Sequence, residues 1–414
     1  MNSNIDAYLQ SVSSEIELAL NKGETSISKI LPCFIFRELE VPNNRFVVST
    51  TRPFISSYKS LLRNQNLKPI IPRKIEYESA IYLKEGVIDS IFSTNSLVTL
   101  LFVGDGASDM RFSYNSYRFF RTFGKNLKVR AFICNSDSIG RKFGDQTIKS
   151  GWNNSEFGDK LFYNSDTWSD LENFLFEVTS EDAENHRYIS IIDIDGTLLC
   201  PRPKYNGLIK QVRIQALKLF CEKHFDDEFF NIKIEEHTSK LEESYAAASN
   251  TGFCKSYDDE DLTMLVALGL YAEIISEDDF LLNPTNNIGF VVPTEWLQYA
   301  SSQLENSPHP KYKLSRLHGL YDQCAKALYN GSPTAFVDFR EVENLVLTDW
   351  AKDKKIVLNK AVISFINEAV KKQIVPIAYS DRPNASVGLI TTGTYNNTVE
   401  SKENAFIDSL VKLV

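Results

Sequence analysis

Two aspartates, Asp193 and Asp195, directly follow a mainly apolar run, Tyr188–Ile192, and are themselves followed by Gly196 and Thr197. Such a run predicts a buried strand, and open α/β sheets bind their ligands where the strands end. Gly196 would let the backbone approach closely while both acids face the crevice. Acids in such a place are costly unless a cation neutralises them, and oxygen-ligated Mg²⁺ is the natural candidate. The alternative, a strand followed by an ordinary Asp-Gly turn, explains less of the pattern.

A second apolar run, Ser96–Val103, ends in the same way. It leads into Gly104, Asp105 and Gly106, with Asp109 four residues after the first acid. A plain aspartate-rich loop after a strand is the alternative interpretation. The presence of two such loops in one chain argues against coincidence and favours a chemical role that both loops share.

Hydroxyl and cationic side chains occur in related positions. Thr50 and Ser380 each end an apolar run, and each is followed two positions later by an Arg-Pro pair that contains Arg52 or Arg382. Lys84 lies 21 residues before the first acid of the second loop. A lone lysine at a helix start is usually solvated, but the acids downstream favour a functional role here.

These segments resemble the motifs of the haloacid dehalogenase-like (HAD) superfamily of phosphatases and phosphotransferases. The resemblance implies that Asp193 is a nucleophile that forms an aspartyl-phosphate, and that Asp195 is the general acid and base. It also implies that Asp105 and Asp109 complete a Mg²⁺ site with Asp193 and Asp195. Lys84 fits the family's lysine, which neutralises the transferring phosphoryl group.

The resemblance further implies residues that hold the substrate. In the family a Ser or Thr at a strand end holds a phosphate oxygen, and this chain offers both Thr50 and Ser380. The segment Pro201–Tyr205 could act as a flap because its cations lie close in sequence to the proposed nucleophile, although an ordinary surface loop would look the same. The candidate substrate-binding residues are Gly196, Thr197, Arg52, Arg382, Arg202 and Lys204.

The order of the motifs departs from the family, in which the DxDGT motif comes first and GDGxxD last. Three arrangements explain the order found here. In the first, the chain is a circular permutant in which strand 188–192 inserts beside strand 96–103 and both halves build one site. In the second, two chains exchange halves in a homodimer; in the third, two degenerate modules lie side by side without catalysis. The first is favoured because each half carries what the other lacks, and an isolated half would expose sheet edges.

The elements that must position these residues follow from the hydrophobic pattern. Strand-like and helix-like runs alternate from about 46 to 179, which is typical of an α/β layer with a parallel sheet. Periodicity is mostly helical from 207 to 345, and Ile374–Tyr379 again predicts a strand. The resemblance implies a HAD-like Rossmannoid sheet with helices on both faces and an inserted helical cap over the substrate. The predicted domains are an N-terminal helical segment (1–45), a core (46–206, with the first-motif strand at 188–197), the helical cap (207–345) and a return to the core (346–414).

Composition limits the classes of function. The 414 residues carry a net charge of −9, are 43% hydrophobic and 24% charged, and include six cysteines without a CxxC pair. A basic nucleic-acid groove is therefore not expected, and neither is a zinc ribbon or a redox motif. No leader or membrane-length apolar run is found, so the sequence predicts a cytoplasmic protein that binds no membrane.

The leading hypothesis is a Mg²⁺-dependent phosphohydrolase that acts on a small phosphomonoester. A phosphotransferase would use the same chemistry. The alternative is a non-catalytic pseudo-phosphatase that acts as a binding or regulatory protein. The distance between Asp105 and Asp193 discriminates between the two hypotheses, because only acids that lie close together can share one metal.

Overall fold

The described part of the chain contains most of the sequence motifs. The computed structural model describes residues 3–22, 24–31, 33–37, 72–92, 96–124, 126–135, 138–143, 146–181, 186–201, 206–224, 234–250, 260–271, 337–353, 356–383 and 395–396. The predicted strand that ends at Thr50 lies outside these residues.

Eleven strands and eleven α-helices are found among the described residues. The strands are β1 (Glu24–Thr25), β2 (Phe34–Arg37), β3 (Val98–Gly104), β4 (Leu127–Cys134), β5 (Lys142–Phe143), β6 (Gln146–Thr147), β7 (Gly151–Asn154), β8 (Lys160–Ser165), β9 (Arg187–Ile192), β10 (Val375–Pro383) and β11 (Tyr395–Asn396). The helices are α1 (Ser3–Lys22), α2 (Ile27–Ile30), α3 (Glu78–Tyr82), α4 (Asp89–Ile91), α5 (Ala107–Phe123), α6 (Asp170–Glu181), α7 (Asn206–His224), α8 (Ile234–Asn250), α9 (Glu260–Tyr271), α10 (Val337–Lys352) and α11 (Lys360–Lys371), and a π-helical stretch, Leu83–Ile88, joins α3 to α4.

The central sheet has seven strands in the order β2-β10-β9-β3-β4-β8-β7. Six are parallel, and β7 pairs antiparallel with β8 at one edge. Strand β9 lies beside β3, with Leu100 level with Ile189 and Phe102 level with Ile191. This is the strand pairing expected of the first arrangement, and it occurs within one chain.

Helices cover both faces of the sheet. Phe102 on β3 packs against Phe112 of α5, with ring centroids 5.0 Å apart. Phe102 is level with Ala131 on β4, so the next residue, Phe132, points to the opposite face, where its ring lies 5.7 Å from that of Phe174 on α6. All seven residues of β3 are buried, as expected of a strand that is covered on both faces. The predicted α/β class with a mostly parallel sheet is therefore confirmed.

The first 45 residues contribute more than the predicted helix. The buried face of α1 includes Ile5, Val12 and Ile16. Strand β2 then adds to the outer side of β10, with Ile35 level with Tyr379. Its short apolar run thus covers an edge that would otherwise expose unpaired backbone groups.

The chain divides into two compact units, residues 1–209 with 347–414, and residues 210–346. Every described residue of the second unit is helical. Within it, Arg213 Nε donates a hydrogen bond to Glu343 Oε1 at 3.2 Å, and both residues are buried. None of the described helices combines the length and apolarity that crossing a bilayer requires.

Candidate functional site

Three carboxylates converge where β3 and β9 end. The backbone N–H of Asp193 donates to the carbonyl of Val103 at 2.9 Å, which continues the pairing of the two strands by one residue. Asp105, Asp109 and Asp193 each offer an oxygen, and these oxygens lie within 4.8 Å of one another. All three residues are at least nine-tenths buried. The two acidic loops thus form one cluster that could bind a metal ion.

Asp109 is held by the start of α5. It is the third residue of the helix, and its Oδ2 accepts hydrogen bonds from the backbone N–H groups of Asp105 and Gly106, both at 3.2 Å. A carboxylate at a helix N-terminus satisfies otherwise unpaired donors and interacts favourably with the helix dipole. The second acid of the GDGxxD segment is therefore oriented by the helix that follows it.

Two glycines allow the acids to lie against the backbone. Gly196 has a φ of +76°, and a Cβ there would lie well under 3.0 Å from the Asp105 carboxylate. A Cβ on Gly104 would meet Asp109 just as closely. The close backbone approach predicted at Gly196 therefore brings the first loop against an acid of the second loop.

The hydroxyl of Thr197 links the two halves of the cluster. Its Oγ1 lies 3.1 Å from Asp105 Oδ1 and 3.3 Å from Asp193 Oδ2, and the residue is fully buried. One hydroxyl carries one proton, so it donates to one of these carboxylates or is shared between them. Thr197 therefore holds the carboxylates of two different strands at a fixed separation.

The cation of the site is Lys74. Its ammonium donates to Asp109 Oδ1 at 3.0 Å and to Asp193 Oδ1, and only 5% of its side chain is exposed. Lys84, the lysine proposed from the sequence, instead pairs with Asp89 at 2.9 Å within its own helical segment, where both side chains are partly exposed. Lys74 therefore lies against the acids in this structure, whereas Lys84 lies in a helical segment whose own acid it can reach.

Long-range contacts fix the segment that carries Lys74. The backbone N–H of Lys74 donates to Asp381 Oδ1 at 2.8 Å, and Asn115 Nδ2 donates to the carbonyl of Ile75 at 2.9 Å. Three partners of Lys74 lie 35, 119 and 307 positions away along the chain. No local spacing in the sequence could therefore have singled out this lysine.

The cluster shifts the pKa values of its members. Burial raises the pKa of Asp193 well above its usual range; the nearby Asp109 and Asp105 add to the rise, while Lys74 opposes it. Burial alone would lower the pKa of Lys74, but the charges of Asp109, Asp193 and Asp381 outweigh it and raise that pKa. The ammonium is thus held in its charged form.

Asp195 and Ser380 lie near the carboxyl ends of two neighbouring strands, β9 and β10. Asp195 is half-buried and forms a backbone bridge with Leu199; the cluster found among the described residues does not include its carboxylate. Ser380 is buried near the end of β10, two residues after Ala378, which is level with Ile192 of β9. Asp195 was predicted to ligate the metal directly, and the described cluster provides only the other three acids for that purpose.

The remaining predicted residues are not placed by the structure. The backbone of Arg382 belongs to β10, but its side chain lies outside the described residues. The predicted site residues that lie entirely outside the described part of the chain are Thr50, Arg52, Arg202 and Lys204.

Comparisons with protein-family models, with curated proteins and with solved structures find no match for this chain. Three carboxylates are hard oxygen donors that suit a divalent cation such as Mg²⁺, Ca²⁺ or Mn²⁺. A buried ammonium beside them suits a ligand that brings negative charge of its own.

Proposed function

We propose that this chain is a Mg²⁺-dependent phosphohydrolase that acts on a small phosphomonoester. The observation that carries the proposal is the convergence of Asp105, Asp109 and Asp193, which come from two DG-containing loops, around the ammonium of Lys74. The proposal includes a HAD-like Rossmannoid core in permuted order. The helical unit would act as its cap.

The donor set fits Mg²⁺. If all three acids ionise, their negative charge exceeds what one ammonium can neutralise, and a buried excess of charge is costly. Asp105, Asp109 and Asp193 would hold the ion through carboxylate oxygens. When bound, Mg²⁺ would supply positive charge that favours ionised carboxyls and neutralises the phosphoryl oxygens.

In the proposed reaction a carboxylate oxygen of Asp193 attacks phosphorus, and the bond from phosphorus to the leaving oxygen breaks. Asp195 gives its proton to that oxygen, so the product alcohol departs neutral. Water then attacks the aspartyl-phosphate while Asp195 takes a proton from it, which releases phosphate and restores Asp193. An alcohol in place of water would make the protein a phosphotransferase.

Lys74 and Ser380 are the proposed phosphate-binding groups of this reaction. The Lys74 ammonium already touches Asp193, so a phosphoryl group bound to that carboxylate would lie beside it. Ser380 lies within β10, the strand next to β9, and is buried. The electrostatic contribution of such preorganised groups increases as charge develops in the transition state.

Acids that lay too far apart to share a metal would have favoured the alternative, a non-catalytic binding protein. The oxygens of Asp105 and Asp193 lie within 4.8 Å of each other, and one threonine hydroxyl contacts both residues. This geometry favours the hydrolase. The alternative remains the outcome that the following experiment would favour if catalysis fails.

The test is hydrolysis of p-nitrophenyl phosphate and of a panel of sugar and nucleotide phosphates, with and without Mg²⁺. We expect Asp193→Asn and Asp105→Asn each to lower Mg²⁺-dependent turnover by at least about 10³-fold. When catalytic residues act as a unit, removal of one of them loses most of the rate enhancement of the whole group. Asp89→Asn, which changes a partly exposed acid, is the matched control and should retain activity. Unchanged turnover in Asp193→Asn would overturn the proposal, and inactivity of the wild type on the whole panel would favour the binding protein.

A further inference from the structure

The loop that follows Asp193 is held by a segment far along the chain. Residues 197–200 run beside residues 357–359, just before α11 begins. Three hydrogen bonds join them: Cys200 N–H to the Val357 carbonyl at 2.9 Å, Asn359 N–H to the Leu198 carbonyl at 2.8 Å, and Asn359 Nδ2 to the Thr197 carbonyl at 2.9 Å. The only side chain among these donors and acceptors is that of Asn359.

The amide of Asn359 makes two different contacts at once. Its Oδ1 accepts from the backbone N–H of Ala361 at 3.1 Å and so caps the N-terminus of α11. Its Nδ2 donates to Thr197, and only 3% of the residue is exposed. Because Ser, Asp and Asn cap helices about equally well, the cap alone does not require asparagine. Of these three side chains, only that of asparagine places the acceptor for the helix and the donor for the loop on two separate atoms.

We propose that Asn359 is a positioning residue of the acidic site, which acts by holding Thr197. The hydroxyl of Thr197 lies 3.1 Å from Asp105 and 3.3 Å from Asp193, distances that are already long for bonds from a hydroxyl. A small displacement of the loop therefore breaks both contacts. Gly196, pressed against Asp105, would move with it. Loss of the bond from Asn359 thus loosens two of the contacts that position Asp105 relative to Asp193.

This inference deepens the proposed function and rests on it, because its first test measures cation binding at the proposed metal site. The variants Asn359→Ser and Asn359→Asp keep a cap for α11 but lack the Nδ2 group that donates to the Thr197 carbonyl. The two variants differ in charge. A similar loss of Mn²⁺ affinity in both would therefore come from the lost hydrogen bond and not from an electrostatic effect. Lys360→Ala, at the exposed neighbouring position, is the matched control.

The first measurement is Mn²⁺ binding to the full-length protein by calorimetry. We expect both Asn359 variants to bind Mn²⁺ about 10-fold more weakly than the wild type, as is typical when a group that orients metal ligands is removed. Lys360→Ala should bind as the wild type does. Unchanged affinity in both Asn359 variants would overturn the inference and leave Asn359 as a helix cap only.

The second measurement is amide hydrogen exchange, which needs no metal. The N–H groups of Leu198 and Leu199 donate to Ile194 within the loop, and we expect them to exchange faster in both variants while the amides of α11 stay protected. Unchanged exchange at these two positions would contradict the proposal that the hydrogen bond from Asn359 to Thr197 holds the loop. If the wild type binds no Mn²⁺, the proposed function fails, and exchange then decides the role of Asn359 by itself.

Discussion

The side chains of Lys74, Asp105, Asp109 and Asp193 form a buried group in which acids outnumber cations. Burial of charge is tolerated only where partners are close, and here the partners come from three separate stretches of the chain. The two acidic loops could be predicted because each contains an Asp-Gly pair shortly after an apolar run. Lys74 could not, because nothing near it in sequence distinguishes it from Lys84.

The contact of Lys74 with two of the acids leads to a prediction about a single residue. Lys74→Met keeps the length of the side chain and removes its charge, so we expect the Mg²⁺-dependent kcat/KM to fall by about 10²- to 10³-fold. Lys84→Met should stay close to wild type, since a partly exposed pair such as Lys84 with Asp89 contributes about 0–1 kcal/mol. Steady-state kinetics on the best substrate of the panel, with circular dichroism to check folding, makes the comparison. Equal losses in the two variants would contradict the assignment of Lys74.

At the scale of elements, two strand ends and one helix start set the geometry of the site. Strands β3 and β9 end side by side, and α5 begins where Asp109 can accept from the preceding backbone. The strands were predictable because their runs are apolar throughout, as strands covered on both faces are. Strand β2 was not predicted, because its four residues form a short apolar run within a segment whose clearest pattern is helical.

The turn between β9 and the loop gives a prediction at this scale. Gly196→Ala combines a positive φ with a Cβ that meets the Asp105 carboxylate, whereas Gly158→Ala at φ +87° places its Cβ in open space. Both changes should cost about 1–3 kcal/mol of stability from backbone strain. Only Gly196→Ala should also weaken Mn²⁺ binding, because only there must an acid of the site move.

Thermal unfolding and Mn²⁺ calorimetry of the two glycine variants separate these effects. Gly158→Ala reports the cost of the backbone conformation alone, since nothing lies within 4 Å of its added Cβ. Wild-type Mn²⁺ affinity in Gly196→Ala would show that Asp105 is not constrained by this turn.

At the scale of the whole molecule, the order of strands in the sheet differs from their order along the chain. Strand β9 lies between β10, which follows it in sequence, and β3, which precedes it. A site at the ends of neighbouring strands depends on their order in the sheet, so its acids can come from distant parts of the chain. The sequence alone left three arrangements open because pairing across such separations is not encoded in any local pattern.

The same topology predicts how two inactive variants behave together. In a homodimer that exchanged halves, coexpressed Asp105→Asn and Asp193→Asn chains would assemble some sites with both acids intact, and about a quarter of wild-type activity would return. Here β3 and β9 pair within one chain, and Asp193 donates to Val103 of that same chain. We therefore expect no recovery of Mg²⁺-dependent hydrolysis in the coexpressed mixture, with a wild-type and Asp193→Asn mixture as the control for expression. Because the Asn substitutions leave the strand pairing intact, recovered activity would mean that the working site takes its acids from two chains.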